Sequence, residues 1–381
     1  MRKCARCLLP ETQETLSFDS EGVCNVCRQH EYKHDQIKWE ERKKEFAGIV
    51  EQYRGKHDYD CIVPFSGGKD STFTLYYLVK ELHLKPLVVS FDHGFYRPNM
   101  EKNIVRTLKK LGVDYLRFRP NWHVVQKLML EALIRKGDFC WHCHTGIFSY
   151  PMHVAIKYNI PLLIWGEPSA EYTSYYHYDE TEEVDEVRFN RYVNLGITAD
   201  DMLGMLNDPD IKARDLAPFR YPDEKELRRI KCRSICLGSY IPWDTKKQSE
   251  LITKELGWQG DSVEGIPGEY YYEKIECGMQ GVRDYLKFLK RGFGRTAHLV
   301  SLDLRNGRIT KERAEELIGK YDGKRPASLD VFLEYIGIDE EEFLNIVAKH
   351  VVSPQVWDRE AVKNLPRGEK LHDMGEWDRS K

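Results

Sequence analysis

The chain has 381 residues, with 58 basic and 61 acidic side chains and a formal charge of −3, so no global positive field marks it for nucleic acid. With 31% charged and 41% hydrophobic residues, it reads as a globular protein of about two domains, or one domain with appendages. No apolar run is long enough to span a membrane, and the start MRKCARCLLP has no signal-peptide core, so the expected location is the cytoplasm. In that compartment ten cysteines favour metal binding, catalysis or free thiols over disulfides.

Residues 1–38 hold Cys4-x2-Cys7 and Cys24-x2-Cys27, the spacing of a four-thiolate zinc site. Each knuckle sets two thiolates on one side, and two knuckles complete a tetrahedron. A segment this short lacks a core, so Zn²⁺ would supply its stability. The site reads first as a structural staple in a zinc-ribbon-like module, and second as an interaction or lid module.

The charged helical stretch KWEERKKEF leads into residues 39–222, which then alternate. The pattern predicts a strand over Tyr59–Phe65, a helix over 70–84, a strand over 86–91 and a helix over 99–111. A strand over 114–118, helices over 121–136 and 146–158, and a strand over Pro161–Trp165 follow. Short apolar strands between helices predict an α/β fold with a doubly wound, mostly parallel sheet. Residues 223–381 read as a mainly helical C-terminal region.

The first predicted strand runs into Ser66-Gly67-Gly68-Lys69-Asp70-Ser71-Thr72. A strand that turns through two glycines into a helix aims backbone N–H groups, at the positive end of a helix dipole, at one spot. Gly67 and Gly68 allow close approach of phosphate oxygens, Ser66 and Ser71 can donate hydroxyls, and Lys69 adds a compact cation. Asp70 can assist a metal or cap the helix. Gly166 and Glu167 follow the fourth strand and return to the same rim, where Glu167 can hold Mg²⁺ or position a nucleophile. Ser90 and Asp92, in VVSFDHGF, read as part of an adenosine pocket or as an ordinary strand end.

A second CxxC, Cys140 and Cys143 in GDFCWHCHTGIF, cannot close a metal site alone. Cys232, Cys236 or Cys277 can join it, with Cys232 taken as the third ligand. Zinc, an iron–sulfur cluster, a redox dithiol and inert buried thiols all fit the spacing. The tyrosine-rich stretch Glu171–Tyr178 reads as a loop over the site, and Lys287–Arg295 as a local basic cluster.

SGGKDST resembles the PP-loop of ATP pyrophosphatases, whose fold is HUP-like. Together with the N-terminal CxxC pair, GDFCWHCHTGIF, LLIWGEPSAEYTS, CLGSYIPWD and DYLKFLKRGFGR, the chain resembles the N-acetyl sugar amidotransferases of bacterial surface polysaccharide and flagellin-sugar synthesis. The resemblance implies that ATP adenylates an N-acetyl oxygen with loss of pyrophosphate, and that ammonia attacks the resulting O-adenylyl imidate to leave an acetamidino group. It implies catalytic roles for Lys69, Asp70 and Glu167. ATP would be held by Ser66 to Thr72 with Ser90, Asp92 and Gly166. The sugar or nucleotide-sugar substrate would meet ammonia from a partner glutaminase subunit, conducted in some members by a cyclase-like subunit. The alternative is a tRNA-thiolating PP-loop enzyme, which also combines such a loop with CxxC pairs.

Overall fold

The computed structural model describes residues 1–171 and 175–368. Five strands form one sheet: β1 (Cys61–Pro64), β2 (Pro86–Phe91), β3 (Asp114–Phe118), β4 (Leu162–Trp165) and β5 (Arg233–Cys236). Their order is β3-β2-β1-β4-β5 and every pairing is parallel. Both faces are therefore covered, and successive side chains go to opposite layers. Val63, Val88, Ile164 and Ile235 enter one apolar layer; Ile62, Leu87, Leu163 and Cys236 enter the other.

The crossover helices are α1 (Lys69–Tyr76) from β1 to β2, α2 (Pro98–Leu111) from β2 to β3, and the pair α3 (Trp122–Lys136) and α4 (Trp141–Tyr158) from β3 to β4. The strand order reverses beside β1, where the connections leave toward β2 on one side and return at β4 on the other. In open α/β sheets a crevice forms outside the carboxyl ends of the strands at such a switch point. Here it lies between the turn after β1 and the turn after β4.

The strand and helix expectations hold closely from β1 to β4, with two informative differences. The first helix is regular only to Tyr76 and continues as a π-type turn over Tyr77–Glu81. The last helix starts at Trp141 rather than near 146, which puts Cys140 at its N-cap and Cys143 in its first turn. The sheet also draws on chain beyond 222, because β5 lies at Arg233–Cys236. The remaining chain is mainly helical, with α5 (Thr245–Leu256) against α1, and α6 (Gln280–Arg291), α7 (Arg295–Arg305), α8 (Lys311–Tyr321), α9 (Ser328–Ile336) and α10 (Glu340–Ala348) following.

A separate apolar cluster joins these C-terminal helices to α3: Val125, Met129 and Leu133 meet Val282, Leu286, Phe332 and Phe343. Truncating such a side chain to Ala typically costs about 2–5 kcal/mol. The N-terminal segment packs its cysteines with Leu9 and Val26 on Phe293 and Ala297. Its strand content is limited to two bridges, Lys3 to Pro10 and Phe18 to Cys24. No helix among the described residues is long and apolar enough to cross a membrane.

Candidate active site at the strand switch point

The turn after β1 is held from within. Thr72 Oγ1 (3.1 Å) and Trp258 Nε1 (2.9 Å) both donate to the Gly67 carbonyl. Ser66 Oγ accepts from Gly68 N at 3.2 Å and lies 3.2 Å from Ser71 Oγ. Gly67 has φ +80°, and a Cβ there would sit 2.5 Å from Ile104 and 2.8 Å from the Met100 sulfur. Gly68 is the N-cap of α1 and no side chain caps it, so the N–H groups of the first turn remain available to a ligand. A Cβ at Gly68 would run into the Glu276 carboxylate.

Lys69 is 2% exposed. Its ammonium contacts Asp70 Oδ2 at 2.7 Å and Glu273 Oε1 at 3.3 Å. Burial works against its charge, but Asp70, Glu273, Glu167 and Glu276 together hold it well above the ordinary lysine value. Lys69 is thus a fixed cation among four carboxylates. One of their oxygens, Asp70 Oδ1, is buried with no hydrogen-bond partner. Glu273 and Glu276 come from the chain after α5; no spacing relates them to the loop, and only the tertiary fold brings them there.

Gly166 is required at the facing rim, since a Cβ would meet Thr74 Oγ1 at 2.6 Å and the Asp70 carbonyl at 3.2 Å. Ser90 and Asp92 are less available than the sequence implies. The Ser90 hydroxyl donates to the Phe65 carbonyl. Asp92 is 1% exposed and is bound by Arg117 Nη2 (2.8 Å), Arg119 Nε (2.6 Å) and Gly94 N (2.9 Å). Burial alone would raise its pKa; Arg119 and Arg117 reverse this and hold it below the usual carboxylate value. Asp92 thereby ties the end of β2 to β3.

The four N-terminal thiols converge. Cys4 and Cys27 sulfurs lie 3.9 Å apart, Cys7 and Cys24 sulfurs 3.6 Å, and all four fall within 4.8 Å of one another. Backbone N–H groups of Arg6, Cys7 and Cys24 donate to the Cys4 sulfur, which favours its thiolate. Such a buried set can hold a metal such as zinc.

This module reaches the rim of the crevice. Lys33 forms a buried ion pair with Glu171 and donates to the Trp243 carbonyl at 2.6 Å. Gln29 Oε1 accepts from Tyr178 N at 2.8 Å, and the Tyr178 hydroxyl donates to Glu171. The tyrosine-rich stretch is therefore clamped under the cysteine module at both ends; its residues 172–174 lie outside the described residues. The basic cluster is similarly engaged: Arg295 pairs with Asp284 at 3.1 Å, Arg291 with Glu14 at 2.5 Å, and Lys287 lies 4.2 Å over the Phe293 ring.

Cys232 does not meet the second CxxC. It lines a different cleft with Tyr53, Met152, Tyr221 and Arg228, because it directly precedes β5 at the sheet edge opposite β3. Cys277 takes its place as neighbour. It bridges antiparallel to Tyr96, Gly278 N donates to the Phe95 carbonyl at 2.8 Å, and Cys277 packs, as Cys140 does, against the apolar cluster of α3 and the C-terminal helices.

Residues 267–371 match a family described as LPS biosynthesis protein WbpG-like, C-terminal domain. Glu273, Glu276 and Cys277 lie inside that stretch. The chain is also 28% identical over 166 residues to an uncharacterized protein of Methanocaldococcus jannaschii, covering 43% of this chain and 58% of that relative. The similarity of the C-terminal region to lipopolysaccharide-biosynthesis proteins is consistent with a role in making surface-polysaccharide sugars.

Proposed function

We propose that this protein is an ATP-dependent, AMP- and pyrophosphate-forming amidotransferase that converts a sugar acetamido group to an acetamidino group. The observation that carries the reading is the enclosed Lys69 at the uncapped start of α1, met by Glu273 and Glu276 from the region similar to lipopolysaccharide-biosynthesis proteins. An amide oxygen leaves poorly, and transfer of AMP to it makes a good leaving group. The uncapped first-turn N–H groups and Lys69 would stabilise charge on the departing pyrophosphate. A polyanion entering beside Asp70, Glu167, Glu273 and Glu276 needs divalent cations, which Mg²⁺ carried by ATP supplies. Ammonia then attacks the imidate carbon, and the former amide oxygen leaves on AMP. Free ammonia or a glutaminase partner would supply the nitrogen.

A second reading, sulfur transfer to tRNA, is favoured by one observation: a CxxC pair, Cys140 and Cys143, opens α4, and a further thiol, Cys277, directly follows Glu276, which faces the loop. One experiment separates the two. The purified protein receives Mg-ATP, ammonium and a panel of free and nucleotide-linked N-acetyl sugars, and pyrophosphate and sugar mass are followed. The expected result is sugar-dependent AMP formation with replacement of oxygen by NH, lost in Lys69→Ala. AMP formation that depends on tRNA and not on any sugar would sink the first reading.

A further inference from the structure

The chain between Trp258 and Glu276 is fastened to the glycine turn at both ends. Trp258 Nε1 donates to the Gly67 carbonyl at 2.9 Å, Glu273 pairs with Lys69 at 3.3 Å, and Glu276 faces Gly68. Arg97 ties the middle of this segment to its end. Its Nη2 donates to the Ser262 carbonyl at 2.5 Å, and its backbone N–H to the Glu276 carbonyl at 3.3 Å. The loop held in this way, residues 261–268, does not close flat on the C-terminal helices. With the starts of α6 and α7 and the end of α8 it surrounds a cavity of about 340 Å³, within the range of small-molecule pockets, about 300–1,000 Å³.

Some polar groups around the cavity are engaged by the fold itself. Glu264 accepts from Ser328 N at 3.2 Å and from the Ser328 hydroxyl. That arrangement needs a glycine at 281, where a Cβ would lie 2.4 Å from Glu264 Oε2. Asp322 caps α7, accepting from Gly294 N at 2.8 Å and Thr296 N at 3.0 Å. Two successive residues of α6 keep unused capacity. Asp284 is 7% exposed; its Oδ1 accepts from Arg295 Nε at 3.1 Å, while its Oδ2 is buried without a hydrogen-bond partner. Tyr285 is 3% exposed and lines the same cavity, and its hydroxyl makes no hydrogen bond among the described residues. Leaving a buried polar group unmade is costly, and a ligand in the cavity would remove that cost.

The lining separates ligand classes. An apolar ligand would strip water from Asp284 and Arg295 and return nothing. A polyanion in the depth would meet the carboxylates of Asp284 and Glu264. A pyranose suits the site, because its hydroxyls can donate to Asp284 and accept from Tyr285 and Arg295, and its C–H faces can lie on aromatic rings. Tyr271 and Tyr321 bring such rings to the wall, each with an apolar face and a polar tip. Asp284, Tyr285, Arg295 and Tyr321 also belong to the stretch similar to lipopolysaccharide-biosynthesis proteins. We propose that this cavity is a saccharide site, with Asp284 and Tyr285 reading the hydroxyls of a pyranose. That the sugar seated there is the amidotransferase acceptor rests on the function proposed above; saccharide binding itself does not.

The test uses the full chain without ATP. It is titrated in a calorimeter with N-acetylglucosamine, N-acetylgalactosamine and N-acetylmannosamine, with their UDP-linked forms, and with UDP alone. The expected result is saturable binding of at least one sugar. Tyr285→Phe loses no internal hydrogen bond, so it should melt like wild type and bind about 5- to 10-fold more weakly; Asp284→Asn should bind about 10- to 100-fold more weakly. No binding by any sugar, binding that UDP alone reproduces, or wild-type affinity in folded Tyr285→Phe would each overturn the proposal. Sugar-dependent AMP formation unchanged in Tyr285→Phe and Asp284→Asn would overturn it while leaving the proposed function standing. Saccharide binding that Tyr285→Phe weakens, without AMP formation under any condition, would uphold the site and remove the function.

Discussion

The two cysteine sites differ in how they are assembled. The N-terminal four come from two knuckles close in sequence, lie fully buried, and close around one point at metal-ligand distance. The internal three combine one knuckle with a residue more than a hundred positions away, remain partly exposed, and are set wider apart. A closed four-thiolate site has no position left for a substrate, so it serves structure. A set that is not closed leaves its thiols open to other partners. The closed site still bears on the crevice: through Lys33 and Gln29 its module fixes Glu171 and Tyr178 at the crevice rim.

The largest effect should follow from opening the closed site. Chelation, or Cys7→Ser, should unfold residues 1–38 and expose them to proteolysis, because metal binding there is folding free energy. Melting and zinc content should fall together; a variant without zinc that melts like wild type would contradict the staple role. Lys33→Met should come next. It leaves Glu171 buried without its cation, at a cost of about 3–5 kcal/mol, while zinc content stays at its wild-type value. Equal losses of zinc and stability would instead mean that Lys33 acts through the metal site.

Gly68→Ala probes the loop. The new methyl must displace Glu276, and a strained fit of this kind costs about 1–3 kcal/mol. Pyrophosphate release should fall about 10²-fold through misplacement of the turn, with zinc content unchanged. A rate equal to wild type would show that Glu276 moves without consequence.

The smallest effect concerns pH. His93 is 4% exposed; Phe95 N donates to its Nδ1 at 3.1 Å, and burial lowers its pKa to about 4. The unfolded histidine, near 6.5, binds a proton over the interval in which the folded one does not. Stability should therefore rise with pH from about 4 to 6.5 and be lost progressively on acidification through that window. Urea melts of His93→Gln across the same range should show a shallower slope than wild type; an identical slope would assign the effect to other groups.

Much of the fold was legible because its signals are local. Alternation of short strands with helices marked β1 to β4 to within a residue or two; β1, β2 and β4 are buried along their whole length and so read as apolar runs, while β3, at the sheet edge, is only partly covered. β5 escaped notice: RSIC is short and follows a charged helix. The turn from Ser66 to Thr72 was legible through its glycines, and Gly67 does adopt a positive φ. The contacts of Ser90 and Asp92 were not legible, because their partners, Phe65, Arg117 and Arg119, come from neighbouring parts of the chain that only the sheet brings alongside. Glu273 and Glu276 were missed because an acidic, tyrosine-rich stretch reads as surface until the chain folds it over Lys69.

By itself, the amino-acid sequence determined the knuckles, the glycine turn and the parallel α/β layering, each of which depends on residues a few positions apart. Only the tertiary structure decided that Lys69 would be enclosed by acids from distant chain and that Cys277, not Cys232, would stand beside Cys140 and Cys143. The physical reason is one of range. Backbone geometry and ligand spacing act over a turn or two of chain, whereas the field around a buried charge is set by whatever the packed helices bring near it.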